Sequence, residues 1–277
     1  MGRLAIGMQE LTTAEFNRIR DFIKQNFGIT LSDEKKTLVY SRLRTTLTEQ
    51  GFTNFSDYFD HLIRDKSGDS IVRFVDKITT NHTFFMRESD HFDYLRDIVL
   101  PYISENYKSQ KDLRLWCCAS SSGEEPVTLQ MIAQDHFKKS SEKWNTQILA
   151  TDISTNVLDK AVHGRYLTEG VNTLPKSWQN DYFKKADHQY SEVQPVIKDN
   201  IIYRKFNLMD PIPFTKKFQV IFCRNVMIYF DGGVREQVVK KLYDATEPGG
   251  YLFIGHSESL SNTNSAYKYI KPAIYRK

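Results

Sequence analysis

From Leu113 onward one texture recurs that limits the possible folds: short apolar, β-rich runs, each followed by a helical stretch. The runs are residues 113–119, 147–153, 201–206, 218–223 and 251–254, with helices predicted over 124–137 and 156–163. Continuous apolar runs belong to strands buried on both faces, and strand–helix alternation points to a parallel sheet covered by helices. Residues 266–270 and 273–276, joined by Lys271-Pro272, read as a terminal antiparallel hairpin. Residues 165–200 are too long for an ordinary αβ connection. They carry Pro175, Trp178, Tyr182, Phe183 and Tyr190, and read as an inserted subdomain with some β-hairpin content.

The first 85 residues read as helices only. Thr12 or Thr13 caps a helix over 15–26, with Phe16, Ile19, Phe22 and Ile23 at helical spacing and Gly28 at its end. Ser32 is the predicted cap of a second helix over 35–50, closed by Gly51. A third fits 56–66, with Tyr58, Phe59, Leu62 and Ile63 as its stripe, and a fourth fits 69–78, with Ile71, Phe74, Val75 and Ile78. The expected layout is a helical domain over residues 1–85 and an α/β domain over 86–277, with the insertion at about 165–200.

Composition narrows the function classes. Of 277 residues, 40% are hydrophobic, enough for a core, yet no apolar stretch approaches the roughly 18 residues of a membrane span. Residues 1–10 hold one Arg and too short an apolar run for a secretory signal. Cys117, Cys118 and Cys223 make an odd count without a Cys-x-x-Cys pair, which argues against a disulfide scaffold and zinc and fits a reducing cytosol. His82, His163 and His256 show no ligand spacing, so no metal is expected. The net charge of +4 is too mild to indicate nucleic acid, but suits an acidic partner surface.

In an open parallel sheet, ligands sit outside the carboxyl ends of the strands. Three features converge there. The first run leads into Ser120-Ser121-Ser122-Gly123-Glu124-Glu125-Pro126, where small residues let a ligand approach backbone and an acidic pair favours a positively charged one over phosphate. Asp152 ends the second run, where an acid either accepts from a ribose diol or caps the next helix. The fourth run ends in Arg224-Asn225, followed by an apolar loop with Tyr229, which reads as a pocket or as a strand end with a satisfied Asn and a core Tyr. Upstream, residues 79–88 (Thr-Thr-Asn-His-Thr-Phe-Phe-Met-Arg-Glu) join the domains and read as a cleft lining or as a cap at Thr79 or Thr80 with a solvated Arg87.

Residues 79–88, 122–126, 150–153 and 222–231, with Gly255-His256-Ser257-Glu258 downstream, closely resemble the chemotaxis receptor methyltransferases, the CheR family. The resemblance runs through nearly the whole chain in order, and the string Cys-Arg-Asn-Val-Met-Ile-Tyr-Phe at 223–230 is its most specific part. It implies an α/β fold: a Rossmann-like class I methyltransferase sheet with an N-terminal all-α receptor-recognition domain and a small inserted β subdomain. It implies S-adenosylmethionine as cofactor, S-adenosylhomocysteine as product, and methyl transfer to receptor glutamates in the cytoplasm. Motif by motif, Asn81, Thr83 and Arg87 line the cofactor cleft, and Glu125 and Asp152 contact the cofactor. Asn207 and Leu208 flank the adenine, and Arg224 and Asn225 close the methionine side. Arg87 and Tyr229 stand at the reacting centre.

The sequence departs from the family's usual pattern at Ser122 (Thr), Val127 (Tyr) and the bulkier Cys117-Cys118, none of them a presumed catalytic group. The expected partner is the acidic helical cytoplasmic domain of methyl-accepting chemoreceptors, steered by Lys35, Lys36, Arg42 and Arg44, with Arg20 and Lys24 adding to the first helix; the alternative is an ordinary solvated helix face. A receptor C-terminal peptide at the inserted subdomain is a further implied contact; nucleic acid and membrane insertion are not expected. The alternatives are a non-catalytic module that binds the same cofactor, or a methyltransferase of another receptor-like signalling system.

Overall fold

The computed structural model describes residues 9–66, 68–79, 81–138, 140, 142–261 and 263–277. Most of the N-terminal stretch weighed as a signal, and Thr80 as a cap, lie outside the described residues. The chain divides into two compact units, one reaching to residue 80 and taking in Tyr229–Asp231, the other formed by Asn81–Ile228 and Gly232–Lys277.

In the first unit α1 (Thr13–Phe27) opens on a capping box. Thr12 Oγ1 accepts from the Glu15 N–H at 3.2 Å, and Glu15 Oε2 accepts from the Thr12 N–H at 2.9 Å. Gly28, at φ 70°, closes the helix in the left-handed conformation. Ser32 makes no side-chain cap: a 3₁₀ turn, Asp33–Lys35, intervenes before α2 (Lys36–Glu49). Asn54 caps α3 (Phe55–Arg64), its Oδ1 accepting from the Asp57 N–H at 2.8 Å, and α4 spans Asp69–Ile78. Phe16, Ile19, Ile23, Leu43, Phe59, Leu62 and Phe74 fill the core. Ile63, expected in the stripe, is 47% exposed, because it follows Leu62 by one residue and so turns about 100° off the buried face. The returning segment is stitched here by the Thr30 N–H to the Tyr229 carbonyl (2.8 Å), an Ile29–Phe230 bridge and a Lys24–Asp231 ion pair (3.0 Å).

The second unit begins with α5 (Ser89–Tyr94), a π-helical turn Leu95–Val99 and α6 (Leu100–Asn106). Strands and helices then alternate: β1 (Leu115–Cys118), α7 (Glu124–Phe137), β2 (Ile148–Asp152) and α8 (Thr155–His163). The insertion follows as β3 (Arg165–Leu167), α9 (Thr168–Val171), α10 (Lys176–Tyr182), β4 (Phe183–Lys185), β5 (Tyr190–Val193) and α11 (Pro195–Lys198). The chain ends with β6 (Ile201–Lys205), β7 (Phe218–Cys223), α12 (Gly232–Ala245), β8 (Thr246–Phe253), β9 (Lys268–Lys271) and β10 (Ile274–Arg276).

The seven-stranded sheet has the order β6-β2-β1-β7-β8-β10-β9, all parallel except β10, which runs antiparallel to β8 and β9. From β1 the chain moves outward to β2 and β6, then returns to β7 on the other side of β1. The order therefore reverses between β1 and β7, whose last residues, Cys118 and Cys223, are register partners. A crevice outside their carboxyl ends is the fold's natural ligand position. The insertion is a three-stranded antiparallel sheet, β3-β5-β4. All three cysteines are buried and free.

Candidate active site

Strand β1 hands over to a loop whose backbone is bent into the left-handed region at Ala119 (φ 54°), Ser121 (φ 48°) and Gly123 (φ 99°). At Gly123 only glycine fits, since a Cβ there meets Tyr166 Oη at 2.6 Å and Ala161 Cβ at 2.8 Å. The buried Asp152, at the tip of β2, ties this loop down: Oδ2 accepts from the Ser121 N–H (2.8 Å) and Oδ1 from the Ser154 N–H (3.0 Å) at the start of α8. The cap reading of Asp152 does not hold: Ser154 caps α8, its Oγ accepting from the Val157 N–H at 3.3 Å, and Asp152 braces the loop beside it. Ser121 Oγ in turn donates to the Asn81 carbonyl at 2.8 Å.

The acidic pair divides its work. Glu124 accepts from Ser122 Oγ at 2.7 Å, and burial pushes its carboxyl up. Glu125 accepts from the Cys117 thiol at 3.2 Å and from Arg224 Nη1 at 2.6 Å. Arg224 is the hub of the rim, with a side chain 1% exposed. Its Nη2 donates to Glu88 Oε2 at 2.9 Å and to the Arg87 carbonyl, and its guanidinium lies 5.3 Å from the Phe92 ring centroid. Burial opposes the Arg224 charge, but Glu125 and Glu88 outweigh it and raise its pKa. Burial likewise opposes the Glu88 charge, yet Arg224 and Asn225 hold that carboxyl below its usual range.

Asn225, at φ 56°, donates through Nδ2 to Glu88 Oε1 at 3.2 Å. Of the seven described non-glycine residues with positive φ, five (Met86, Glu88, Ala119, Ser121, Asn225) belong to these segments, and such strain persists only where surrounding contacts fix it.

The other predicted residues fall as follows. Arg87 is half-buried and donates to the His82 carbonyl at 2.9 Å, with Thr83 half-buried on the same segment. Asn207 and Leu208 follow β6, which pairs with β2. Asn207 Oδ1 accepts from the Met209 N–H at 3.0 Å, and the Leu208 carbonyl accepts from Lys241 Nζ. Tyr229 groups with the helical unit. There, Lys35 and Arg44 are exposed and Lys36 donates to Thr13 Oγ1 at 3.2 Å. Arg42 departs from the expected basic face: it donates to the Ile78 and Thr79 carbonyls at 2.5 and 3.2 Å, answering orphan groups at the end of α4. Val127 is buried in α7, where an apolar side chain is at home.

Sequence reasoning missed Glu88 and His91, and quoted Glu258 without a role. The only local signal for Glu88 was its place beside Arg87 in Met-Arg-Glu. Glu88, His91 and His256 each bring one possible metal-ligand atom within 4.8 Å of one another. Glu88, however, already serves Arg224, Asn225 and the His256 N–H. His91 is fully buried, its ring nitrogens without hydrogen bonds; burial depresses its pKa to about 4, and the neutral ring packs edge-on to Phe253.

Comparison with known proteins agrees with this architecture. Residues 81–275 match the family model described as CheR methyltransferase, SAM binding domain, and residues 14–79 match CheR methyltransferase, all-alpha domain. A chemotaxis protein methyltransferase of Borreliella burgdorferi is 39% identical over 270 residues, 96% of this chain and 95% of that one. Chemotaxis protein methyltransferase 1 of Pseudomonas aeruginosa is 35% identical, covering 95% and 97%, and the Escherichia coli chemotaxis protein methyltransferase is 30% identical, covering 96% and 91%. With an all-α unit joined to a mostly parallel sheet of this order and a family match over almost its entire length, the chain belongs to the CheR methyltransferase family.

Proposed function

We propose that the protein transfers a methyl group from S-adenosylmethionine to glutamate side-chain carboxylates of chemoreceptors, giving glutamyl methyl esters. The observation that carries this reading is the Arg224–Glu125 ion pair at the β1–β7 switch point, with Arg224 buried, and Asp152 at the tip of the neighbouring β2. An acid-lined rim with a loop of small residues suits a ligand that bears a positive charge and a ribose. S-adenosylmethionine, when bound, supplies a methyl group on a sulfonium sulfur, open to in-line displacement by a nucleophile. On this reading Asp152 accepts from the ribose, Glu125 holds the cationic methionine end, Asn81 and Thr83 line the cleft, and Asn207 and Leu208 flank the adenine. Arg224 and Asn225 close the methionine side.

The acceptor needs no general base, because a glutamate with a reference pKa of about 4.3 is already ionised at neutral pH. That accords with a rim built of acids, Arg and Asn rather than a nucleophilic triad. Rate enhancement then falls to alignment and exclusion of water, and alignment alone reaches about 7–11 kcal/mol in favourable systems. Arg87 has five N–H groups, of which the His82 carbonyl engages one. It orients the incoming carboxylate without a full bidentate clasp, which would occupy the reacting lone pairs. Tyr229 positions the carboxylate or the methyl group. Lys35, Lys36 and Arg44 steer an acidic receptor helix, working in the cytoplasm, while Arg42 braces the end of α4. The outer edges of β3 and β4 offer a receptor peptide a place to add a strand.

The test is transfer of labelled methyl from S-adenosylmethionine to chemoreceptor-containing membranes, with base-labile methanol release as the ester signature. Label is expected on receptor. Cofactor binding without transfer would leave only the non-catalytic module. Near-normal turnover in both Arg87→Ala and Tyr229→Phe would remove those two from the chemistry.

A further inference from the structure

Beyond the rim, a half-buried carboxylate acts on Asn225 through its main chain. Glu258, in the Gly255-His256-Ser257-Glu258 turn after β8, accepts from the backbone amides of Gly255, Asn225, Met227 and Ile228 in two loops. Its Oε2 takes the Gly255 N–H at 2.5 Å and the Asn225 N–H at 2.9 Å, and its Oε1 takes the Ile228 N–H at 3.2 Å. The Asn225, Met227 and Ile228 amides belong to the turn that leaves β7 and passes into a 3₁₀ helix, Met227–Tyr229, so the carboxylate caps that short helix's N-terminus. Gly255 makes the approach possible: a Cβ there would stand 2.4 Å from Asn225 Nδ2 and 2.9 Å from Glu258 Oε2. Asn225 is thus clasped at its main chain by Glu258 and at its side chain by Glu88. Asn tolerates the left-handed backbone better than most side-chain-bearing residues, and the two carboxylates fix it in that turn.

We propose that Glu258 is a positioning residue for the donor site: it locks the Arg224-Asn225 tip of β7 in its left-handed turn and so sets the methionine end of the cleft without touching the ligand. This rests on the reading of Arg224 and Asn225 as cofactor residues. Burial pushes the Glu258 carboxyl up, and the backbone amides offset this only in part.

The experiment uses the full-length protein and compares wild type, Glu258→Gln and, as a stability control, Val239→Ala, a truncation buried in α12. S-adenosylhomocysteine affinity is read by calorimetry, KM and kcat by methyl transfer, and folding by thermal melting. Gln keeps one acceptor oxygen for the four amides, so affinity should weaken by roughly ten- to a hundredfold. KM for S-adenosylmethionine should rise similarly, kcat at saturation should stay within about threefold, and Val239→Ala should bind like wild type. If Glu258→Gln does not fold, Glu258→Asp, which withdraws the charge by one methylene, is read in the same way. Wild-type binding with a Glu258 variant within twofold of it overturns this inference alone, as does an equal affinity loss in Val239→Ala at matched melting temperature. A wild type that fails to bind S-adenosylhomocysteine overturns the parent reading as well.

Discussion

Replacing Arg224 by Met removes the rim's cation while keeping most of its apolar length. Two carboxylates then lose their counter-charge inside the protein: Glu88 and Glu125 have side chains only 14% and 15% exposed. Breaking a buried pair by removing one partner costs about 3–5 kcal/mol, because the remaining charge stays desolvated. At about 2–4 °C per kcal/mol for a domain of this size, the melting temperature should fall by roughly 6–20 °C. The loss should also depend on pH, with a definite sign. In the wild type Arg224 holds the Glu88 carboxyl low, so the pair's stabilisation is present above the unfolded pKa of about 4.3 and is lost as pH falls through the folded value. In Arg224→Met, burial is opposed only by the Asn225 and His256 contacts, so the Glu88 folded pKa moves up and protonation relieves part of the strain. The gap between variant and wild type is therefore largest near pH 7.5 and narrows toward pH 5. Thermal melts of both proteins at the two pH values decide the matter; a gap worth under about 1 kcal/mol, or one independent of pH, refutes the buried-pair argument.

Gly123→Ala should lower the melting temperature, since its Cβ meets Tyr166 Oη at 2.6 Å at a φ of 99°; unchanged melting would show that the turn relaxes freely. Wild-type stability should decline as pH falls from about 6.5 toward the His91 value of about 4, because the unfolded chain takes up a proton that the buried ring refuses, and His91→Phe should flatten that limb of a denaturant titration. Arg42→Ala should destabilise the helical unit by about 1–3 kcal/mol, through carbonyls left without a donor. Lys35→Glu with Arg44→Glu should leave melting unchanged and raise the receptor KM more strongly at low salt than at high salt.

The parts of the fold that local chemistry determines were legible in the sequence. The strand 218–223 and the helices 69–78 and 124–137 have the predicted bounds, since an unbroken apolar run or a helical stripe between glycines and caps leaves little choice. The long helical segment 89–106 was not read: its middle turn is π-helical, which breaks the 3.6-residue period, and Pro101 lies just beyond it. The three-stranded insertion was legible only as a length and a scatter of aromatics, because β3 and β4 have three residues each. Asp152 and Arg224 stand at strand tips, where topology alone marks them. The roles of Glu88 and Glu258 depend on contacts 30 to 168 residues away in sequence, which no local pattern encodes. Arg42 misled for the opposite reason: a cation on an amphipathic helix looks solvated until a neighbouring helix end claims it.

The most direct measurement is a calorimetric titration of the wild-type protein and Asp152→Ala with S-adenosylhomocysteine. The account predicts one site per chain in the wild type and at least a tenfold weaker one in a variant that still melts cooperatively. Equal affinity in the two proteins would place the ligand elsewhere and contradict the assignment of the strand-tip crevice.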